Sequence, residues 1–110
     1  MWFVYIVKCR DGTLYTGITN DLGRRIGEHN SSESGAKYTR ARRPVELVYQ
    51  FSCPDRSTAS REERRIKKSA RSKKLELINE QVKYFQKLHK KGLSVADDVG
   101  SLDKTSDNRR

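Results

Sequence analysis

A tyrosine, an arginine, a histidine and a distant carboxylate form an inventory suited to phosphodiester hydrolysis, and this chain carries them as Tyr15, Arg25, His29 and Glu63. Cleaving such a bond requires a base for water, positive charge at the phosphoryl oxygens and help for the departing 3′ oxygen. Arg25 offers a permanently charged planar fork that matches phosphoryl oxygens, where a lysine would be a poor substitute. Glu63 can hold one divalent cation, because Mg²⁺ commonly takes one or two carboxylates, keeps several waters and touches substrate phosphate. Such an ion stabilises the leaving oxygen. Two residues compete for the role of base. Tyrosine's ordinary pKa of about 10 means that Tyr15 needs a neighbouring cation or hydrogen-bond partner. His29 is intrinsically closer to neutral pH.

These groups need elements to position them. A helix over 21–29 puts Leu22 and Ile26 one turn apart on a buried stripe, with Arg25 and His29 together on a neighbouring face. Thr19 or Asn20 can cap it and Asp21 suits its positive end, but Gly23 and Gly27 each weaken it by roughly 1 kcal/mol relative to alanine. The helix therefore depends on tertiary support. Ahead of it, Trp2–Val7 is apolar on both faces, as a central strand is, and Asp11-Gly12 is a hairpin signal joining strands at 2–9 and 13–17. The hairpin sets Tyr5 and Tyr15 on neighbouring strands in a register that sequence leaves open. Gly17 reads either as the turn residue that ends the second strand or as space for close approach of a phosphate.

Downstream, Asn30–Gly35 is a polar loop by composition, and Lys37, Arg40, Arg42 and Arg43 flank Tyr38. This segment reads either as a backbone clamp with Tyr38 stacking on a base or sugar, or as a solvated basic loop. Val45, Leu47, Tyr49 and Phe51 alternate with Glu46, Val48 and Gln50, which predicts a half-buried third strand over 45–51. Cys53-Pro54-Asp55 ends it. A helix starting near Ser57 or Thr58 brings Ala59, Glu63, Ile66 and, less well, Ala70 to one side, so Glu63 sits at the core boundary. Glu62 and Glu63 also have basic neighbours at helical spacing, and a salt bridge is the plain alternative for both. The basic run from Lys67 to Lys74 leads to a helix start at Ser72, with Leu75, Leu77 and Ile78 as core anchors. Val82, Phe85 and Leu88 predict a final amphipathic helix stopped by Gly92.

The chain has 110 residues, with 24 Lys and Arg against 14 Asp and Glu, for a net charge of +10. That length makes one small domain with a thin core, and the charge favours nucleic acid as partner. Cys9 and Cys53 lack the spacing of a zinc site and read as reduced thiols of a cytoplasmic protein. The apolar run at the N-terminus is too short to span a membrane.

Val4-Tyr5-Ile6, Tyr15-Thr16-Gly17, Leu22 with Arg25 and His29, and Ala59 through Glu63 into Arg65-Ile66-Lys67-Lys68 resemble the GIY-YIG nuclease superfamily. Gly35-Ala36-Lys37-Tyr38-Thr39 and Arg43–Val48 are similar to its small single-domain bacterial, UPF0213-like branch. The resemblance runs from about Trp2 to Ile78. It implies an α+β fold, a three-stranded antiparallel sheet flanked by helices, and a metal-dependent DNA endonuclease acting on structured or damaged DNA in repair or recombination. It also implies Tyr5 and Tyr15 as paired site tyrosines with Tyr15 as base, Arg25 on the scissile phosphate, His29 supporting the site or sharing the base role, and Glu63 carrying Mg²⁺ or Mn²⁺.

Lys37, Tyr38, Arg40, Arg42, Arg43 and Lys67 are the expected nucleic-acid contacts, with RNA as the alternative polymer. Phe3-Val4 replaces the family's Gly-Ile, Thr16 replaces its middle residue, and Ile18 stands where some members have a basic side chain. The chain shows no separate targeting domain, so a protein partner is the expected source of targeting. The expected organisation is a nuclease-like domain over 1–80, a helical extension over 81–92 and a disordered tail over 93–110. A basic nucleic-acid-binding protein without catalysis is the alternative function.

Overall fold

The computed structural model describes residues 1–31 and 35–90. The expected stop at Gly92 and the tail over 93–110 lie outside the described residues. The strands β1 (Trp2–Lys8) and β2 (Leu14–Thr19) form the first hairpin. Its tip is held by the Asp11 carboxylate, which accepts from the Thr13 amide at 3.1 Å and hydroxyl at 2.6 Å, with Gly12 at φ 85°. Helix α1 (Leu22–Ser31) follows, then the short α2 (Lys37–Arg40), β3 (Glu46–Cys53), α3 (Arg56–Lys68) and α4 (Arg71–Lys90).

The three strands are antiparallel in the order β2-β1-β3, so the fold is α+β with the apolar N-terminal strand at its centre. Alternation along β1 divides the core in two. Val4 and Ile6 face Tyr49, Cys53, Ala59 and Ile66, beneath α3 and the start of α4. Tyr5 and Val7 face Leu22 and Val45, with Ile26 of α1 packed against them. The two cysteines are free, buried and in opposite layers.

Helix α1 owes its start to Asp21, whose carboxylate accepts from the Arg24 amide at 3.1 Å. Asp55 does the same for α3 at Thr58, 2.8 Å away, so that helix begins at Arg56, ahead of the expected Ser57 or Thr58. It ends at Lys68, which leaves Ala70 exposed between helices.

Several expectations need correction. Strand β2 does not end at Gly17 but continues to Thr19. Asn30 and Ser31 belong to α1, and a helical turn interrupts the basic segment at Lys37–Arg40. Strand β3 is not a single stripe: its register against β1 shifts between Ile6 and Val7, where Tyr49 and Leu47 are successive partners. The bulge leaves Val48 unpaired and sends Leu47 to one layer and Tyr49 to the other. Phe51, on the expected apolar side, is exposed. The two C-terminal helical segments are one continuous α4, which crosses residues 80 and 81 without a break. Leu77 and Ile78 anchor it, whereas Leu75 is exposed.

Two amide side chains attach helices to β3 by satisfying both backbone groups of one residue. Asn30 accepts from the Val45 amide at 2.7 Å and donates to its carbonyl at 3.1 Å. Gln81 of α4 treats Gln50 alike, at 3.0 and 2.7 Å. This closes part of an edge strand that would otherwise offer bare backbone. Because Val45 is buried, Asn30→Ala strands two backbone polar groups at once. Urea denaturation should show a loss of about 1–3 kcal/mol for this variant, and an unchanged midpoint would contradict the anchoring.

Candidate active site

The register pairs Tyr5 with Gly17 and Val7 with Tyr15, which puts both tyrosines on one face of the sheet, beneath α1. Tyr5 lies across Gly17 so closely that a Cβ there would stand 2.6 Å from its hydroxyl. No side chain fits. Gly17 therefore makes room for the protein's own phenol, and neither expected reading of it, turn or phosphate space, describes its contact.

Helix α1 lowers His29 onto the two tyrosines. Leu22 is buried on the sheet and Ile26 packs beside it, which turns the adjoining strip of the same helix face, with Arg25 and His29, toward Tyr5. His29 is wholly buried. Its Nε2 lies 2.8 Å from the Tyr5 hydroxyl and its Nδ1 lies 2.8 Å from the Thr39 hydroxyl on α2. Both tyrosine rings meet the imidazole edge-on, at centroid distances of 5.7 Å for Tyr5 and 5.3 Å for Tyr15. Burial, aided by the charge of Arg25, pushes the His29 pKa down to about 4. Burial likewise pushes Tyr5 up to about 12, against the opposing effect of a hydrogen bond from Arg25. At neutral pH both are uncharged.

Arg25 is half-buried and joins two partners. It pairs with Glu28 at 2.9 Å and reaches the Tyr5 hydroxyl, and these contacts hold its pKa above the ordinary guanidinium value although burial opposes them. The Arg25 contact correspondingly lowers the Glu28 pKa. Glu63 comes from the other side of the sheet. Helix α3 packs on β1 and β2, and the Glu63 carboxylate is near enough to disfavour ionisation of Tyr5. It is ion-paired with Lys67 at 3.3 Å, and Glu62 with Arg65 at 2.7 Å, which bears out the salt bridge expected of Glu62 and gives Glu63 an ion pair beside the role implied for it. Ile18 packs in the layer of α3, away from the tyrosines.

The basic segment divides. Lys37 and Arg40 are exposed on α2. Tyr38 stacks on Tyr15 at 6.1 Å between centroids and carries the Arg42 guanidinium 4.0 Å above its ring, while 40% of it stays exposed. Arg42 also bonds Asp11 at the hairpin tip, 3.1 Å away, and the Tyr38 carbonyl. Arg43 turns inward to the carbonyls of His29 and Glu28, where it finishes α1. It is thus a partner of the end of α1.

Thr39 was not among the expected site residues, because a lone threonine between cations has no motif of its own. The available signal was indirect: a buried histidine needs a partner for each ring nitrogen.

Among the described residues no group of three or more His, Cys, Asp or Glu could hold a metal ion. A single carboxylate, Glu63, partly exposed and near enough to act on the charge of Tyr5, nonetheless suits Mg²⁺, which keeps waters and shares substrate oxygens.

The buried neutral His29 gives the fold a pH dependence with a definite sign. Its folded pKa lies below the unfolded one, so the unfolded chain takes up more protons between about 6.5 and about 4. Stability should be full above pH 6.5 and fall steadily toward about pH 4, while His29→Gln should be weaker but flatter over that window. An imidazole resonance of His29 titrating near 6.5 would contradict this burial.

The family model for the GIY-YIG catalytic domain matches residues 1–76. The UPF0213 protein DP2720 of Desulfotalea psychrophila is 56% identical over 88 residues, 80% of each chain. The UPF0213 protein SSP2268 of Staphylococcus saprophyticus is 53% identical over 78 residues, covering 71% of this chain and 94% of that protein. The solution NMR structure of the UPF0213 protein BH0048 from Bacillus halodurans aligns with a TM-score of 0.47 at 45% identity, over 72% of this chain and 84% of that one. With its tyrosines, arginine and histidine gathered on one sheet face, the chain belongs to the GIY-YIG nuclease family.

Proposed function

We propose that this protein is a metal-dependent endonuclease that hydrolyses DNA phosphodiester bonds, directed to structured or damaged DNA as in repair or recombination. One observation carries the reading. Arg25, Tyr5 and His29 form a single hydrogen-bonded set, Tyr15 packs on the same imidazole, and the Glu63 carboxylate bears on the same phenol from the facing layer. Arg25, His29, Tyr15 and Glu63 thus all bear on the one Tyr5 phenol.

The roles follow from what each group is free to do. Both nitrogens of His29 are engaged, so it serves as a positioning residue and not as the base. The Tyr15 hydroxyl makes no hydrogen bond among the described residues and is half-buried, which leaves its oxygen open to take up a proton from the attacking water. The water oxygen bonds to phosphorus as the bond to the 3′ oxygen breaks. Arg25 meets the phosphoryl oxygens on which charge grows. Glu63 would hold Mg²⁺ or Mn²⁺, which when bound would supply positive charge to the leaving oxygen.

Lys37 and Arg40 on α2, with Lys67 beside Glu63, supply phosphate contacts along the chain's excess of positive charge. For Glu63 to take a cation, its ion pair with Lys67 must open. That gives Lys67 a reason to turn toward nucleic acid.

The ion pairs also favour a second reading. Glu63 is neutralised by Lys67 and Arg25 is balanced by Glu28, as in a scaffold that binds DNA or RNA without cutting it. End-labelled single-stranded, duplex, nicked, flapped and branched DNA, incubated at low salt with Mg²⁺ or Mn²⁺, separates the two. The nuclease reading expects cuts that need the metal and fall by roughly a hundred-fold or more in Glu63→Gln and Arg25→Ala. Binding without cleavage across the panel would establish the second reading.

A further inference from the structure

We infer that Thr39 is a positioning residue for the proposed reaction: its hydroxyl fixes the tautomer of His29 and, through it, the direction in which the Tyr5 hydroxyl faces Arg25. The inference rests on the proposal that Arg25 meets the scissile phosphate, and it assigns to the short helix α2 a task beyond phosphate binding.

A hydrogen-bonded row is fixed from both of its ends. At one end, the Tyr5 hydroxyl is buried and carries one proton. Arg25 is donor only and can give a hydrogen bond but never accept one. The phenol proton therefore goes to the Nε2 of His29, 2.8 Å away.

A neutral imidazole with a bare Nε2 has its proton on Nδ1, and that proton points at the Thr39 oxygen at 2.8 Å. At the other end, the Thr39 hydroxyl donates to the carbonyl of Ala36 at 3.0 Å, which leaves its oxygen free to accept. All donors thus run one way, from the Arg25 guanidinium through Tyr5, His29 and Thr39 to the Ala36 carbonyl. Aligned bonds of this kind polarise one another in a dry interior. Thr39 and His29 are each fully buried, so water does not substitute for either.

The placement of α2 is itself built for the contact. A Cβ at Gly35 would stand 2.6 Å from the Glu28 carbonyl, so the chain leading into α2 lies directly against the end of α1. Arg43 binds the same carbonyls from the following segment. The Thr39 hydroxyl is held where Nδ1 needs it.

Removing the acceptor reverses the chain. With valine at 39, a proton on Nδ1 has no partner, and the imidazole favours the tautomer with its proton on Nε2. That proton then points at the Tyr5 oxygen and competes with Arg25 for it. The guanidinium loses its fixed partner, so turnover falls while the surface that binds nucleic acid is unaltered.

The experiment combines two readouts on Thr39→Val and Thr39→Ser: ¹⁵N chemical shifts of the His29 imidazole, which distinguish the tautomers, and single-turnover cleavage of the DNA panel. The expected result is an Nδ1-protonated ring in the unmutated protein and in Thr39→Ser. Thr39→Val should shift toward the Nε2-protonated form, with kcat about ten-fold lower and KM within about two-fold. Thr39→Ser should recover most of the rate.

An Nε2-protonated ring in the unmutated protein overturns the inference, and so does a tautomer unchanged in Thr39→Val. Should Thr39→Val fail to fold, the unmutated and Thr39→Ser spectra still decide it. Should no variant cleave DNA, the proposed nuclease falls while the imidazole spectra still decide the role of Thr39.

Discussion

A buried hydroxyl must find an acceptor, and for Tyr5 that acceptor is the Nε2 of His29 at 2.8 Å. Much of the molecule is arranged around this bond. It joins the central strand to α1, across the layer where Leu22 and Ile26 hold the helix on the sheet. It exists because Gly17, directly opposite Tyr5 on β2, has no side chain to push the phenol aside. It constrains α2 as well, since the second nitrogen of a buried imidazole also needs a partner and Thr39 provides it. Breaking any of these contacts leaves an unsatisfied polar group in the core, a cost larger than the net worth of the bond itself.

The charges follow the same logic. Burial keeps His29 and Tyr5 neutral, so the positive charge acting on Tyr5 resides on Arg25, a group that does not lose its proton under ordinary conditions. Its partner Glu28 and the pair Glu63–Lys67 are partly exposed, where ion pairs contribute little to stability and can exchange partners at low cost. The site thus combines a rigid neutral centre with charged groups able to rearrange around a phosphate. This division suits catalysis, which depends on a fixed geometry and on charge placed where it develops.

Much of the fold was readable in advance because its signals are local. Apolar residues on both faces of Trp2–Val7, the Asp11-Gly12 turn and the spacing of Leu22, Arg25, Ile26 and His29 each follow from the period of a single element. What stayed hidden depends on contacts between elements. The bulge at Val48 reverses the facing of β3 halfway along, and alternation alone carries no trace of it. Helix α2 has four residues, three of them exposed, and its buried Thr39 lies among cations that suggest a loop. Arg43 has the same composition signal as its exposed neighbours, yet it binds the end of α1. Gly17 was noticed for the right spacing, but its tenant is Tyr5. The candidate site residues Tyr5, Tyr15, Arg25 and His29 do converge, whereas the effect of Glu63 on Tyr5 could be seen only once α3 was placed on β1 and β2.

The central claim is that the two layers meet at the β2 edge to form one metal-assisted site. The most direct measurement replaces Mg²⁺ with Mn²⁺ in the ¹⁵N-labelled protein bound to a short DNA carrying an uncleavable phosphodiester analogue, and maps paramagnetic broadening. The account predicts broadening centred on Glu63 and extending to Gly17, Tyr5, Tyr15 and Arg25, all of it removed by Glu63→Gln. Broadening scattered over exposed carboxylates such as Glu76, or unchanged in the variant, would contradict it.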